Sequence, residues 1–153
     1  MTGHGWRDPE EWRHRRTAEG CVICQDGAPF GVIAQTPTVW VTADPDAALP
    51  YYVCVVSKRH VVEPFELAPP EQAAFWTDAM LAAQGVHEVA RPIKINYEIH
   101  GNTLPHLHLH IFPRHADDPF VGGPIDPRRA STRRTPEDLR ALADAVSSRL
   151  GSR

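Results

Sequence analysis

Pro105-His106-Leu107-His108-Leu109-His110-Ile111-Phe112 places three histidines alternately with aliphatic residues. Side chains along a strand alternate faces, so His106, His108 and His110 are expected on one face, each about 6.5–7 Å from the next. Leu107, Leu109 and Ile111 then supply the core. An ordinary amphipathic strand carries mixed Lys, Thr, Glu and Ser on its polar side. Three adjacent imidazoles make sense when some are neutral ligands or nucleophiles and one can carry a proton. A chance histidine-rich solvent face is the plain alternative, and interleaved Leu and Ile exclude an affinity tag.

Upstream, Ile93–Ile99 also alternates, with Ile93, Ile95, Tyr97 and Ile99 on one face and Lys94, Asn96 and Glu98 on the other. The polar turn His100-Gly101-Asn102-Thr103-Leu104-Pro105 joins it to a strand over Leu107–Phe112. Further β-rich runs are Phe30–Ala34, Val39–Thr42 and Tyr52–Ser57. A helix is predicted over about 70–90, with Phe75, Ala79, Ala82, Val86 and Val89 in one stripe. Asp8-Pro9-Glu10-Glu11 starts a short helix expected to end at Gly20, and Thr135-Pro136-Glu137-Asp138 starts a last one using Leu139, Leu142, Val146 and Leu150. Residues 114–134 read as loop. Strands, a long helix, then strands imply an α+β fold with an antiparallel sheet and helices packed on it.

The 153 residues suit one domain, 1–153, with a core at about 20–115 and a C-terminal loop and helix at 116–150. A net charge of −3 lacks the basic excess of a general nucleic-acid binder. No stretch is apolar and long enough to span a bilayer, and the first residues lack a signal-peptide core. A cytoplasmic protein is expected, without nucleic-acid or membrane partners. Three cysteines, Cys21, Cys24 and Cys54, argue against a disulfide framework. The close pair suggests metal or redox chemistry. Cys54 reads as a small core residue, as do Trp40 and Phe30, although one apolar side chain must line any base pocket.

His106-Leu107-His108-Leu109-His110-Ile111-Phe112 resembles the signature of the histidine triad family of nucleotide hydrolases and transferases. Val55–Val61 resembles the strand and Pro-Lys-X-His turn upstream in that family. Asn96 to Arg114 resembles its strand–glycine turn–strand, and the cysteine pair resembles its zinc-containing members. The resemblance covers most of Cys21 to Arg114 and implies an α+β fold with a five-stranded antiparallel sheet, a long helix and a C-terminal helix. Asp117-Asp118-Pro119 resembles a diadenosine polyphosphate hydrolase-like branch.

The resemblance implies that His108 attacks the α-phosphorus of a nucleotide and forms a covalent nucleotidyl-histidine, which water releases. His110 then contacts phosphate oxygens and handles protons. Related transferases carry glutamine at the third triad position, so His110 favours a hydrolase of dinucleoside polyphosphates, phosphoramidates or adenylated small molecules. Asn102 and Thr103 would meet the phosphate beside Gly101, where glycine permits close approach. Asp44 and Asn96 match ribose- or phosphate-binding positions. Ordinary turns remain the alternative for Gly101–Thr103 and for Ala43–Asp46. The family's Gly-His before the upstream strand is replaced by Tyr51-Tyr52, and Tyr52 either bonds phosphate or packs.

His60 and His106 complete, by the same resemblance, a four-ligand zinc site with Cys21 and Cys24. Four protein ligands leave no open position, which implies a structural ion. Two buried thiols with two hydrogen-bonded histidines are the metal-free alternative. His4, His14, His87, His100 and His115 read as surface or supporting residues, with His100 bordering the turn. Arg128, Arg129, Arg133 and Arg134 read as a solvated run able to guide a polyphosphate tail. A homodimer is the family's usual state. Other readings are a nucleotide-binding sensor without turnover, a nucleotidyl transferase, and a histidine-rich metal carrier.

Overall fold

Short β-branched runs and one long alanine-rich helix divide the chain between a sheet and its cover. The computed structural model describes residues 5–152. Its helices are α1 (Pro9–Arg15), α2 (Val22–Asp26), α3 (Pro69–Ala90) and α4 (Pro136–Leu150). Its strands are β1 (Val32–Gln35), β2 (Val39–Thr42), β3 (Asp46–Ala47), β4 (Val53–Ser57), β5 (Lys94–Glu98), β6 (His108–Arg114) and β7 (Thr132–Arg133). His4 lies outside the described residues. The fold is α+β. The main sheet has five strands in the order β1-β2-β4-β6-β5, and every pairing is antiparallel.

Alternation gives this sheet two different faces. Val39, Val41, Val53, Val55, Leu109 and Ile111 turn to one side and bury against Phe75, Ala79, Ala82 and Val86 of α3. Helix α4 contributes Leu142, Val146 and Leu150 to the same core. A Cβ on Gly85 would come within 2.7 Å of Val146 Cα and 2.8 Å of the Ala145 carbonyl oxygen, so glycine permits the close crossing of α3 and α4. The opposite face carries Trp40, Cys54, Val56, His108 and His110, in registers Trp40–Val56–His108 and Cys54–His110–Glu98.

Several sequence expectations are corrected. Helix α1 stops at Arg15 rather than Gly20: Gly20 folds back so close to the His14 carbonyl that no Cβ would fit. Asp8 caps α1, accepting N–H bonds from Glu10 and Glu11 at 3.0 and 3.1 Å. Strand β5 forms as expected, at the sheet edge, where Ile93, Tyr97 and Ile99 are exposed and only Ile95 reaches the helix-covered core. Phe30 is also exposed, preceding β1. Residues 114–134 are not all loop, since β7 pairs with β3 in a two-stranded ribbon. The arginine run is not uniformly solvated. Arg134 is buried and donates to the carbonyls of Asp44 and Tyr52, while Arg133 pairs with Asp46 and Arg128 with Asp126.

Candidate active site and metal centre

His106 stands just before β6, and the strand opens at His108. The main chain there serves two centres, one on each side of a single carbonyl. His108 Nδ1 is 2.6 Å from the carbonyl oxygen of His106. A carbonyl only accepts, so Nδ1 carries the hydrogen and Nε2 keeps its lone pair. Burial lowers the basicity of His108, which favours this neutral form.

His110, opposite Cys54 and Glu98, is buried, with its ring edge-on to that of His108 at 4.8 Å between centroids. Burial, with His108 and His100 adding repulsion, pushes it down to about 3, so it is uncharged at neutral pH. Tyr52 Oη lies 2.8 Å from His110 Nδ1. Burial drives the phenol upward and keeps it protonated. With this hydroxyl as the donor, the hydrogen of neutral His110 sits on Nε2. Tyr52 also stacks on Phe112 at 4.6 Å. Side by side, one ring offers a bare nitrogen and the next an N–H donor, a pairing suited to attack on phosphorus beside a held oxygen.

A cavity of about 430 Å³ opens over these two rings. Gly101, Asn102 and Thr103 form part of its wall, with His100 and Leu104. Gly101 has φ +67, a left-handed conformation that glycine adopts without strain. Pro124 to Arg128, from the segment read as loop, form another part. The structure thus brings His108, His110, Asn102 and Thr103 together. It leaves Asp44 and Asn96 off the cavity wall. Asp44 is exposed beyond β2, its carboxylate against Gly31, and Asn96 lies on β5 bonded to Lys94. The wall residues Ile125 and Asp126 escape sequence reading because a loop carries no periodicity. His100 borders the glycine turn, the one signal that points to it.

The second centre joins Cys21, Cys24, His60 and His106, whose ligand atoms all lie within 4.8 Å of one another. The two Nδ1 atoms are 3.2 Å apart, Cys21 Sγ is 3.3 Å from His106 Nδ1, and Cys24 Sγ is 3.3 Å from His60 Nδ1. A tetrahedron with bonds of about 2.0–2.3 Å has edges of about 3.3–3.8 Å, and these three separations, with 3.8 Å from Cys24 Sγ to His106 Nδ1, lie near that range. Burial and the neighbouring Cys21 push Cys24 up to about 11, so paired thiolates here call for a cation. Both imidazoles are held from behind: His106 Nε2 donates to the Ser57 carbonyl at 2.7 Å and His60 Nε2 to that of Arg16 at 2.8 Å. Such bonds orient a metal-binding ring.

Other sequence candidates have structural roles. Asp118 takes two bonds from Arg114, at 2.7 and 2.8 Å, and others from the N–H groups of His115 and Phe120. Arg114 thereby holds its carboxyl down at about 2. His115 Nε2 donates to the Ala90 carbonyl, while His14 and His87 are exposed. Cys54 is half-buried on the histidine face among Trp40, Val56 and Leu104. No helix among the described residues is long and apolar enough to cross a membrane.

Comparison with known proteins finds the same fold. A histidine triad protein from Sinorhizobium meliloti 1021 superposes with a TM-score of 0.67 at 25% identity, covering 78% of this chain and 89% of that one. One from Bradyrhizobium japonicum gives 0.66 at 23%, covering 78% and 89%. A Zn-bound histidine triad family protein from Mycobacterium smegmatis gives 0.64 at 22%, covering 90% of this chain and all of that one. No curated protein matches the sequence. The HIT domain model matches residues 26–117, and the chain belongs to the histidine triad family.

Proposed function

We propose that this protein is a nucleotide hydrolase that cleaves at an α-phosphate through a nucleotidyl-His108 intermediate. One observation carries the reading: the His106 carbonyl takes Nδ1–H of His108 and leaves Nε2 bare beside the cavity. That nitrogen attacks phosphorus, and the N–H of His110 steadies a phosphate oxygen as charge develops. The amide and hydroxyl of Asn102 and Thr103 supply further hydrogen-bonding groups on the same wall. Substrates in this reading are dinucleoside polyphosphates, nucleoside phosphoramidates and related nucleotides. Asp44 and Asn96 bind a ribose only if the substrate extends beyond the cavity wall. Quenching the protein with an adenosine 5′-phosphoramidate is expected to leave acid-labile adenylate on His108. His108→Ala should lose the label and about 10³-fold or more in turnover. Tight binding of AMP with neither label nor turnover would replace the hydrolase with a sensor.

The reading includes one structural zinc held by Cys21, Cys24, His60 and His106, where a bound cation ties the N-terminal segment to the sheet. It also includes a cytoplasmic homodimer. Exposed Ile93, Tyr97 and Ile99 on and beside the edge strand support self-association, and light scattering should give twice the chain mass.

A further inference from the structure

His100 and Glu98 form a pair that attack by His108 does not use. His100 borders the glycine turn, lines the same cavity as His108 and His110, and meets the His110 ring edge-on at 5.3 Å. Its Nε2 is 2.8 Å from Glu98 Oε2, and that oxygen also accepts the N–H of Ile125 at 3.0 Å. The two side chains are only 28% and 13% exposed. With a carboxylate as acceptor, His100 Nε2 carries a hydrogen. Among the described residues no group hydrogen-bonds His100 Nδ1. An imidazole held on one nitrogen by an acid, with the other available, is the arrangement that carries protons in hydrolytic sites. Asp126, paired with Arg128, is the acid on this cavity wall, while Glu98 stands behind His100.

The proposed hydrolysis needs such a carrier. His108 commits its lone pair to phosphorus. His110 is neutral, with Nδ1 engaged by Tyr52. Neither is placed to give a proton to the departing atom and later take one from water.

We infer that His100, oriented by Glu98, is the proton carrier of this reaction; the inference rests on the hydrolase reading above. In the first step the N–P bond from His108 Nε2 forms as the bond to the leaving group breaks. The electron pair leaves with the departing oxygen or nitrogen, which takes the proton from Nδ1 of the His100 imidazolium. Neutral His100 then removes a proton from water as the water oxygen bonds to phosphorus. The N–P bond breaks, its pair returns to His108, and the nucleoside monophosphate departs with His100 protonated again. His100 is thus a catalytic residue, and Glu98 a positioning one.

The test compares leaving groups in the full-length, zinc-loaded protein. An alkylamine phosphoramidate of AMP needs a proton to expel its amine, whereas the p-nitrophenyl ester of AMP expels a stable anion. Release is followed in a single turnover. His100→Gln should slow amine release by about 10²–10³-fold and p-nitrophenolate release by less than about tenfold. Glu98→Gln should shift the ratio in the same direction, less strongly. Zinc content and circular dichroism establish folding, and His100→Asn decides if the glutamine variant does not fold. Equal losses on both substrates, or no loss on the amine, would overturn the proposal. If the wild-type protein labels His108 and a variant loses both substrates alike, only the proton-carrier role fails. If the wild-type protein neither labels nor turns over either compound, the hydrolase reading fails with it.

Discussion

His110 shows how burial decides where a proton can rest. It is 5% exposed and held down at about 3, against about 6.5 in an unfolded chain. Below pH 6.5 the unfolded chain gains a proton that the folded one refuses. The stabilisation is therefore present above 6.5 and is lost as pH falls toward 3, by about 1.4 kcal/mol per pH unit. Between pH 7 and pH 5 the wild-type protein should lose about 2 kcal/mol more stability than His110→Asn, measured by urea unfolding of zinc-loaded samples. At this scale the sequence is legible where residues stand in a pattern. His108 and His110 follow a strand period, and Cys21 and Cys24 stand as a close pair. Tyr52 reaches His110 across two paired strands, and Ile125 reaches Glu98 from a loop. Contacts of that kind have no local signature.

Helices and strands were legible in proportion to their length and regularity. Helix α3 runs from Pro69 to Ala90, within a residue of the span its apolar spacing predicts, and β2 fills Val39–Thr42. The ribbon of β3 and β7 is two residues deep and draws support from the Arg133–Asp46 pair and buried Arg134, so no periodicity announces it. Strand β5 reads correctly as a strand, yet its apolar stripe lies at an edge, and edge placement is a property of the sheet rather than of the segment. The α3–α4 crossing yields a direct test. Alanine favours a helix over glycine by about 1 kcal/mol. At Gly85, however, its Cβ would strike backbone atoms of Ala145 and Val146 that cannot swing aside. Overpacking of about 1–3 kcal/mol should win, so Gly85→Ala is expected to lower the urea midpoint, with α4 the first element to lose amide protection.

Across the whole molecule, the N-terminal segment is held by the cysteine–histidine centre, by the His60–Arg16 bond, and by Arg15, which donates to the Thr103 carbonyl at 2.9 Å. The α3-covered core is a separate cluster. Chelation, or Cys21→Ser, should therefore remove about one zinc per chain and open residues 5–20 to protease while the sheet stays protected. Limited proteolysis with mass spectrometry checks this; simultaneous loss of the sheet would show that the two parts are not separable. The far side of the cavity is fastened differently. Arg114 grips Asp118 at one end of the 119–131 stretch, and Arg134 anchors the chain just past the other. A strip moored at both ends has a fixed span, so the width of the cavity it borders is written in its residue count more than in any single side chain along it.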